Sequence, residues 1–223
     1  MAPWWVALRR LRYHGAMDEP MDLSPEERAS RIKVLLFDVD GVLTDGQLFF
    51  IPENSGQPGP DGQFHGLEVK GFSAHDGLGV TLARLGGLRL GLITKRQSAT
   101  VALRAQDLRL EFVYQGQSHK MDAVNDILKR AGITLDELAY VGDDVVDLPV
   151  MRVCGLAIAT ANARIQVKTI AHWVTPNPGG HGAGRDAIEY ILEAQDKLDY
   201  AIQVFLDRDN PAAAAADIGT GKM

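Results

Sequence analysis

One cysteine, Cys154, leaves the chain no partner for an intrachain disulfide, so packing alone must hold the fold; the cytoplasm is the expected location. No apolar run reaches the roughly 20 residues of a membrane helix, which argues against a helical span. Blocks of basic residues are missing too. The 23 lysines and arginines face 29 acids, and a formal charge of -6 with a pI near 5.5 excludes a general nucleic-acid binder. Aromatic residues are sparse at 7%, yet 46% of the 223 residues are hydrophobic, enough for one substantial core with appendages.

What is present is an alternation of strand-like and helix-like segments. Strands are predicted at Ile32–Phe37, Leu88–Thr94, Phe112–Tyr114, Leu138–Val141, Leu156–Ile158 and His172–Val174. Between them, helices are predicted at Val80–Leu85, Ala99–Gln106, Met121–Ala131 and Leu148–Val153, with one long helix from Gly184 to about Leu206. Such alternation implies an α/β fold: a parallel sheet covered by helices on both faces. Ser24-Pro25-Glu26-Glu27 predicts a short leading helix with its own cap. Gln47–Ile51 and Leu67–Phe72 break the pattern; they flank a stretch rich in Gly and Pro and read as a protruding β-hairpin with a long tip. A hairpin alone is marginal and has open edges, so it should pack on the body or on copies of itself, and an oligomer is expected. Residues 1–30 read as an N-terminal extension, partly helical or disordered, with Met17 and Met21 as alternative starts. Residues 31–206 form the single domain, with the arm at about 47–73, and 207–223 a mobile Ala-rich tail.

The chemistry-bearing residues sit at predicted strand ends. Asp38-Val39-Asp40-Gly41 puts two carboxylates where the first strand opens into a loop; Thr94 ends the second, and Gly142-Asp143-Asp144 with Asp147 follows a later one. Ligands of a doubly wound sheet bind at those carboxyl ends, so four or five carboxylates are expected to converge there. Their repulsion calls for a divalent cation, and hard oxygen ligands favour magnesium. Thr94 offers a hydroxyl, and Lys120, opening a helix after Gln117-Ser118-His119, offers an ammonium near a helix N-terminus, which suits an anion. Metal, hydroxyl and ammonium around a carboxylate nucleophile describe phosphoryl transfer.

Four segments in this order, Asp38-Val39-Asp40-Gly41-Val42-Leu43-Thr44-Asp45-Gly46, Leu92-Ile93-Thr94, Lys120 and Gly142-Asp143-Asp144-Val145-Val146-Asp147, resemble the motifs of the haloacid dehalogenase (HAD) superfamily. Within it the chain resembles the capless 3-deoxy-D-manno-octulosonate (KDO) 8-phosphate phosphatases, through Tyr114–Lys120, Ala139–Asp144, Pro149-Val150-Met151 and Gly179–Arg185. The match spans roughly residues 31–200, and no insertion between Gly77 and Leu88, or between the second and third motifs, is large enough for a cap domain. The resemblance implies a Rossmann-like three-layer fold with the hairpin arm, and a magnesium-dependent phosphomonoesterase acting on a phosphorylated sugar acid, KDO 8-phosphate first, in lipopolysaccharide or other surface-glycan precursor synthesis. It implies Asp38 as nucleophile and Asp40 as acid and base. Magnesium would sit on Asp38, the Asp40 carbonyl and Asp143, with Asp144 and Asp147 ordering its waters or the loop; Thr94 and Lys120 would hold the transferring oxygens.

Gly41, His75, Arg96 and Arg185 are the implied substrate-binding residues. Family members typically carry Arg where this chain has His75, Gly-Arg where it has Lys95-Arg96, and often Arg at His181, so the sugar-acid contacts depart from the family pattern. The resemblance also implies a homotetramer built through the arm. Two other readings are a phosphatase for nine-carbon sugar-acid phosphates and a non-catalytic scaffold that keeps the fold.

Overall fold

In the computed structural model, which describes residues 23–63 and 65–207, the chain opens with α1 (Pro25–Ala29) and β1 (Val34–Phe37), then forms the arm strands β2 (Phe49–Pro52) and β3 (Gly66–Val69). It continues through α2 (Ala74–Leu85), β4 (Arg89–Ile93), α3 (Ala99–Asp107), β5 (Phe112–Tyr114), α4 (Lys120–Ala131) and β6 (Leu138–Gly142). The remainder is α5 (Leu148–Met151), β7 (Leu156–Ala159), α6 (Ile165–Ile170), β8 (Trp173–Val174), α7 (Ala183–Ala194) and α8 (Leu198–Leu206). The leading helix has its expected cap: Ser24 Oγ accepts from the Glu27 amide at 3.1 Å, and Glu27 reaches back to the Ser24 amide at 2.7 Å. The expected extension ahead of Leu23 and the tail after Asp207 lie outside the described residues.

Six strands form one sheet in the order β5-β4-β1-β6-β7-β8, every pairing parallel. Side chains alternate across it. Leu35, Phe37, Leu90 and Leu92 pack with Val80 and Leu82 of α2 and Ile188 and Ile191 of α7, while Val34, Leu36 and Tyr140 pack with Val124 and Ile127 of α4 and Val150 of α5. The central strands therefore read as unbroken apolar runs, because both faces are covered. From β1 the chain crosses to β4 on one side, and β6 returns on the other. The loops leaving the carboxyl ends of β1 and β6 thus diverge and open a crevice between them.

Three helical regions differ from the sequence reading, and the first is α2, which begins at Ala74, ahead of the expected Val80. The long C-terminal helix is two, α7 and α8, because Asp196 adopts φ 54°. There the Lys197 amide reaches Leu192 O at 2.8 Å and the Asp196 amide reaches Glu193 O at 2.9 Å, a Schellman closure that a non-glycine residue does not advertise. Helix α6 was not anticipated. The arm is a separate antiparallel pair with Phe49 opposite Val69, Phe50 opposite Glu68 and Ile51 opposite Leu67. Its Phe49, Ile51, Leu67 and Val69 share one face and are all exposed. No cap domain occurs among the described residues.

Candidate active site

Asp38 is the first residue beyond β1 and Asp143 the first beyond β6, so adjacent parallel strands deliver both carboxyls to the same crevice. The Asp38 amide still donates to Val141 O at 3.0 Å, extending the sheet ladder under the site. Carboxylate oxygens of Asp38, Asp143 and Asp147 lie within 4.8 Å of one another. Lys120, at the first position of α4, reaches in from the far side: its Nζ lies 2.9 Å from Asp38 Oδ1 and 2.7 Å from Asp147 Oδ1, and donates to the Tyr140 hydroxyl at 2.9 Å. An ammonium has three donors, and here each has a partner.

Asp147 has a different job from its neighbours. It is fully buried and both its oxygens are taken: Oδ1 accepts from Lys120 and from the Tyr140 hydroxyl at 2.8 Å, Oδ2 from the Asp143 amide at 3.0 Å and the Asp144 amide at 3.3 Å. It locks the loop after β6 to the lysine. Asp143 Oδ1, by contrast, is buried without a hydrogen-bond partner. Three acids and one ammonium leave an excess of negative charge in a largely buried site. Burial, and next the Asp147 charge, push the Asp38 carboxyl up to about 7 against the pull of Lys120. Asp143 is likewise pushed up to about 7, by burial and then by Asp147 and Asp38. Burial works against the Lys120 ammonium, but the Asp38 and Asp147 charges outweigh it and raise its pKa. The unpartnered Asp143 oxygen and the surplus of hard oxygen donors fit a magnesium ion held by Asp38 and Asp143.

Glycines and one asparagine let the surrounding loops close. Gly41 has φ +88°, and a Cβ there would lie 2.1 Å from Asp143 Oδ2. A Cβ on Gly179 would fall 1.9 Å from Gly41 O. Asn162 spans the same contact, donating to Gly41 O at 3.2 Å and accepting from the Gly179 amide at 2.7 Å. Through these bonds the Gly179–Gly180 segment braces the loop after β1.

Of the residues named from sequence, Asp38, Asp143, Asp147 and Lys120 come together. The expected convergence of four or five carboxylates is too generous. The Asp40 side chain turns toward the arm, where it meets Lys70 Nζ and lies 3.6 Å from Arg96 Nε. Asp144 is exposed and caps a turn, accepting from the Val145 amide at 2.7 Å. Thr94 is buried just past β4, its amide donating to Tyr114 O at 2.9 Å and its carbonyl accepting from Gln117 at 3.0 Å. Arg96 rests between Asp40 and Glu68, 3.1 Å from the latter. His75 is exposed on the first turn of α2, and Arg185 pairs with Glu189 at 2.7 Å; neither is bonded to Asp38, Asp40 or Asp143 among the described residues. The cap of α2 is Ser73, which accepts from His75, while Asp76 accepts from the Arg185 amide at 2.9 Å and so caps α7 across the fold.

Tyr140, Lys70, Glu68 and Asn162 escaped the sequence reading. Only the polar residues at every second position of Leu67-Glu68-Val69-Lys70 signalled that one side of the arm meets something charged. A cavity of about 240 Å³ with Arg84, Arg89, Arg109 and Glu111 in its wall lies at the opposite, amino ends of β4 and β5 and holds none of these carboxylates.

Residues 93–185 match the model of a family described as haloacid dehalogenase-like hydrolase. The chain is 37% identical over 182 residues to the KDO 8-phosphate phosphatase of Escherichia coli K12, covering 82% of this chain and 90% of that protein. The fold is similar to that of the Moraxella catarrhalis KDO 8-phosphate phosphatase solved with magnesium, phosphate and KDO: TM-score 0.71, 36% identity, 81% of this chain and 97% of that one covered. It is similar too to the cobalt-bound Haemophilus influenzae enzyme, with TM-score 0.69 and 34% identity over 79% of this chain and 99% of that one.

Proposed function

The chain belongs to the KDO 8-phosphate phosphatase family of the haloacid dehalogenase superfamily, and from that premise we propose that it hydrolyses KDO 8-phosphate to KDO and phosphate with magnesium as cofactor. The observation that carries this reading is the pairing of Asp38 with the partnerless Asp143 oxygen at the β1–β6 crevice, with Lys120 against Asp38. Asp38, Asp143 and the Asp40 carbonyl would hold the magnesium, which would supply charge neutralisation and orientation for the transferring phosphoryl group.

The chain's own residues do the rest. The Asp38 carboxylate attacks phosphorus, forming an O–P bond as the ester P–O bond to the sugar breaks, and Asp40 gives its proton to the departing sugar oxygen. Water then attacks the aspartyl-phosphate and passes a proton to Asp40, which releases phosphate and restores Asp38. Lys120 favours the ionised form of Asp38 and, with Thr94, stabilises the phosphoryl oxygens; Asp147 holds Lys120 and the Asp143 loop in place, and Asp144 holds the turn that follows. Gly41, His75, Arg96 and Arg185 remain the candidate contacts to the sugar acid.

The nine-carbon sugar-acid and scaffold readings are not favoured: the relatives above are named for KDO 8-phosphate, and the carboxylate and lysine set is complete. No described helix is long and apolar enough to cross a membrane, and a cytoplasmic setting accords with the lone buried Cys154. The exposed apolar face of the arm favours packing against further copies as a tetramer. Phosphate release from KDO 8-phosphate with magnesium tests the reading, with nine-carbon sugar-acid phosphates as competitors. Turnover by the wild type that disappears in Asp38→Asn supports it; no release from any of these esters overturns it.

A further inference from the structure

Asp40, the acid and base of the reading above, draws its side-chain support from the arm. Lys70 follows β3 directly, and its side chain is fully buried although the strand before it is mostly exposed. Its ammonium meets Asp40 Oδ1 and lies 3.3 Å from Glu68. Glu68 in turn lies 3.1 Å from Arg96 Nη2, and Arg96 Nε lies 3.6 Å from Asp40 Oδ2. Four charges of alternating sign thus close a ring, Lys70, Asp40, Arg96 and Glu68, with one cation on each oxygen of Asp40. Thr100 of α3 fixes the same strand to the body by donating to Glu68 O at 3.1 Å. A buried ammonium is costly without acid partners, and Asp40 and Glu68 supply them.

We infer that Lys70 is a positioning residue for Asp40: the arm, through the Lys70–Glu68–Arg96 ring, sets the angle at which Asp40 presents its proton to the leaving oxygen. A ring that only stapled the arm would affect every substrate alike. Positioning of a proton donor is selective, because an alkoxide leaving group needs the proton and an activated phenolate does not. This inference rests on the phosphatase reading and on Asp40 as its acid.

The test compares KDO 8-phosphate, an alkyl ester, with p-nitrophenyl phosphate in the full-length protein with magnesium. The quantity is kcat/KM, which covers steps only through formation of the Asp38 ester and so excludes the later use of Asp40 on water. For Lys70→Met, kcat/KM with the alkyl ester should fall at least about tenfold further than with the aryl ester, a fraction of the roughly 10²-fold or more that a general acid contributes. Lys70→Arg should recover part of that gap, and Asp40→Asn should show it in full. Glu68→Gln, which keeps the lysine but removes one of its two acid partners, should show a smaller gap of the same sign and serves if Lys70→Met does not fold. Equal losses on both esters in Lys70→Met and Glu68→Gln overturn the inference while leaving the phosphatase reading intact. Failure of the wild type to release phosphate from either ester overturns both.

Discussion

Asp38 and Asp40 stand two residues apart in the chain, yet one belongs to the body of the molecule and the other to its junction with the arm. The Asp38 side chain is 9% exposed, and the residue is tied to the sheet by its amide and paired with a lysine from α4. The Asp40 side chain retains 23% exposure and faces cations from β4's following loop and from the end of β3. The body holds its charges at the ends of parallel strands buried on both faces. The arm holds its share on a two-stranded hairpin whose other side is solvent-exposed hydrophobe. In the proposed mechanism the nucleophile thus sits on the sheet itself, while the proton donor is held by side chains that the arm brings to it.

The largest expected effect lies in the body. Asp38→Asn removes the carboxylate proposed to attack phosphorus, and phosphate release in a steady-state assay should fall by roughly 10³-fold or more; substantial turnover in that variant would break the assignment of Asp38 to the chemical step. Next is Asp147→Ala, which strips partners from Lys120, the Tyr140 hydroxyl and two loop amides at once. Losing one side of a buried charge pair costs about 3–5 kcal/mol, read as a lower urea midpoint at unchanged slope. A smaller stability loss would mean that the loop re-forms without its anchor.

Removing the metal sharpens the contrast through pH. Asp38 and Asp143, raised from 3.8 to about 7 in the ion-free site, hold more protons folded than unfolded between those values. Their contribution is therefore fully present below pH 4 and is lost as pH rises through about 7. Thermal melts in chelator should show this loss, superimposed on the other titrations, and magnesium should offset it more at pH 8 than at pH 5, because the cation competes with protons. A magnesium stabilisation independent of pH would remove these two carboxylates from the metal site.

The smallest effect on stability is expected in the arm. Leu67→Ser and Ile51→Ser alter exposed side chains, so each should shift the stability of the isolated subunit by about 0.5 kcal/mol or less. Sedimentation should nonetheless show a change in assembly state if that face carries the contact between copies. Unchanged sedimentation for both would leave the arm as a feature of the single chain.

The order of the charged motifs was legible because parallel strands end at one edge: once Phe37 and Val141 were read as strand residues, Asp38 and Asp143 fell at the same edge, and the pairing of β1 with β6 makes them neighbours there. The arm was legible from its turn-rich interruption. Tyr140 was hidden because an aromatic in a buried strand reads as core, and its hydroxyl matters only when α4 brings Lys120 beneath it. Lys70 was hidden because a charge at a strand end is usually solvated.

Fold class, the two strand-end acids, the need for a cation and the protruding arm follow from local pattern: periodicity, turn residues and the cost of bunching charge. Which acid faces which cation does not. Asp147 as the saturated anchor, Asp143 as the one with an open oxygen, and Asp40 turned to Lys70 and Arg96 are outcomes of packing between segments far apart in the chain. Side-chain charges at a strand end can turn several ways, and only the elements that close over them, α4 on one side and β3 on the other, select the direction.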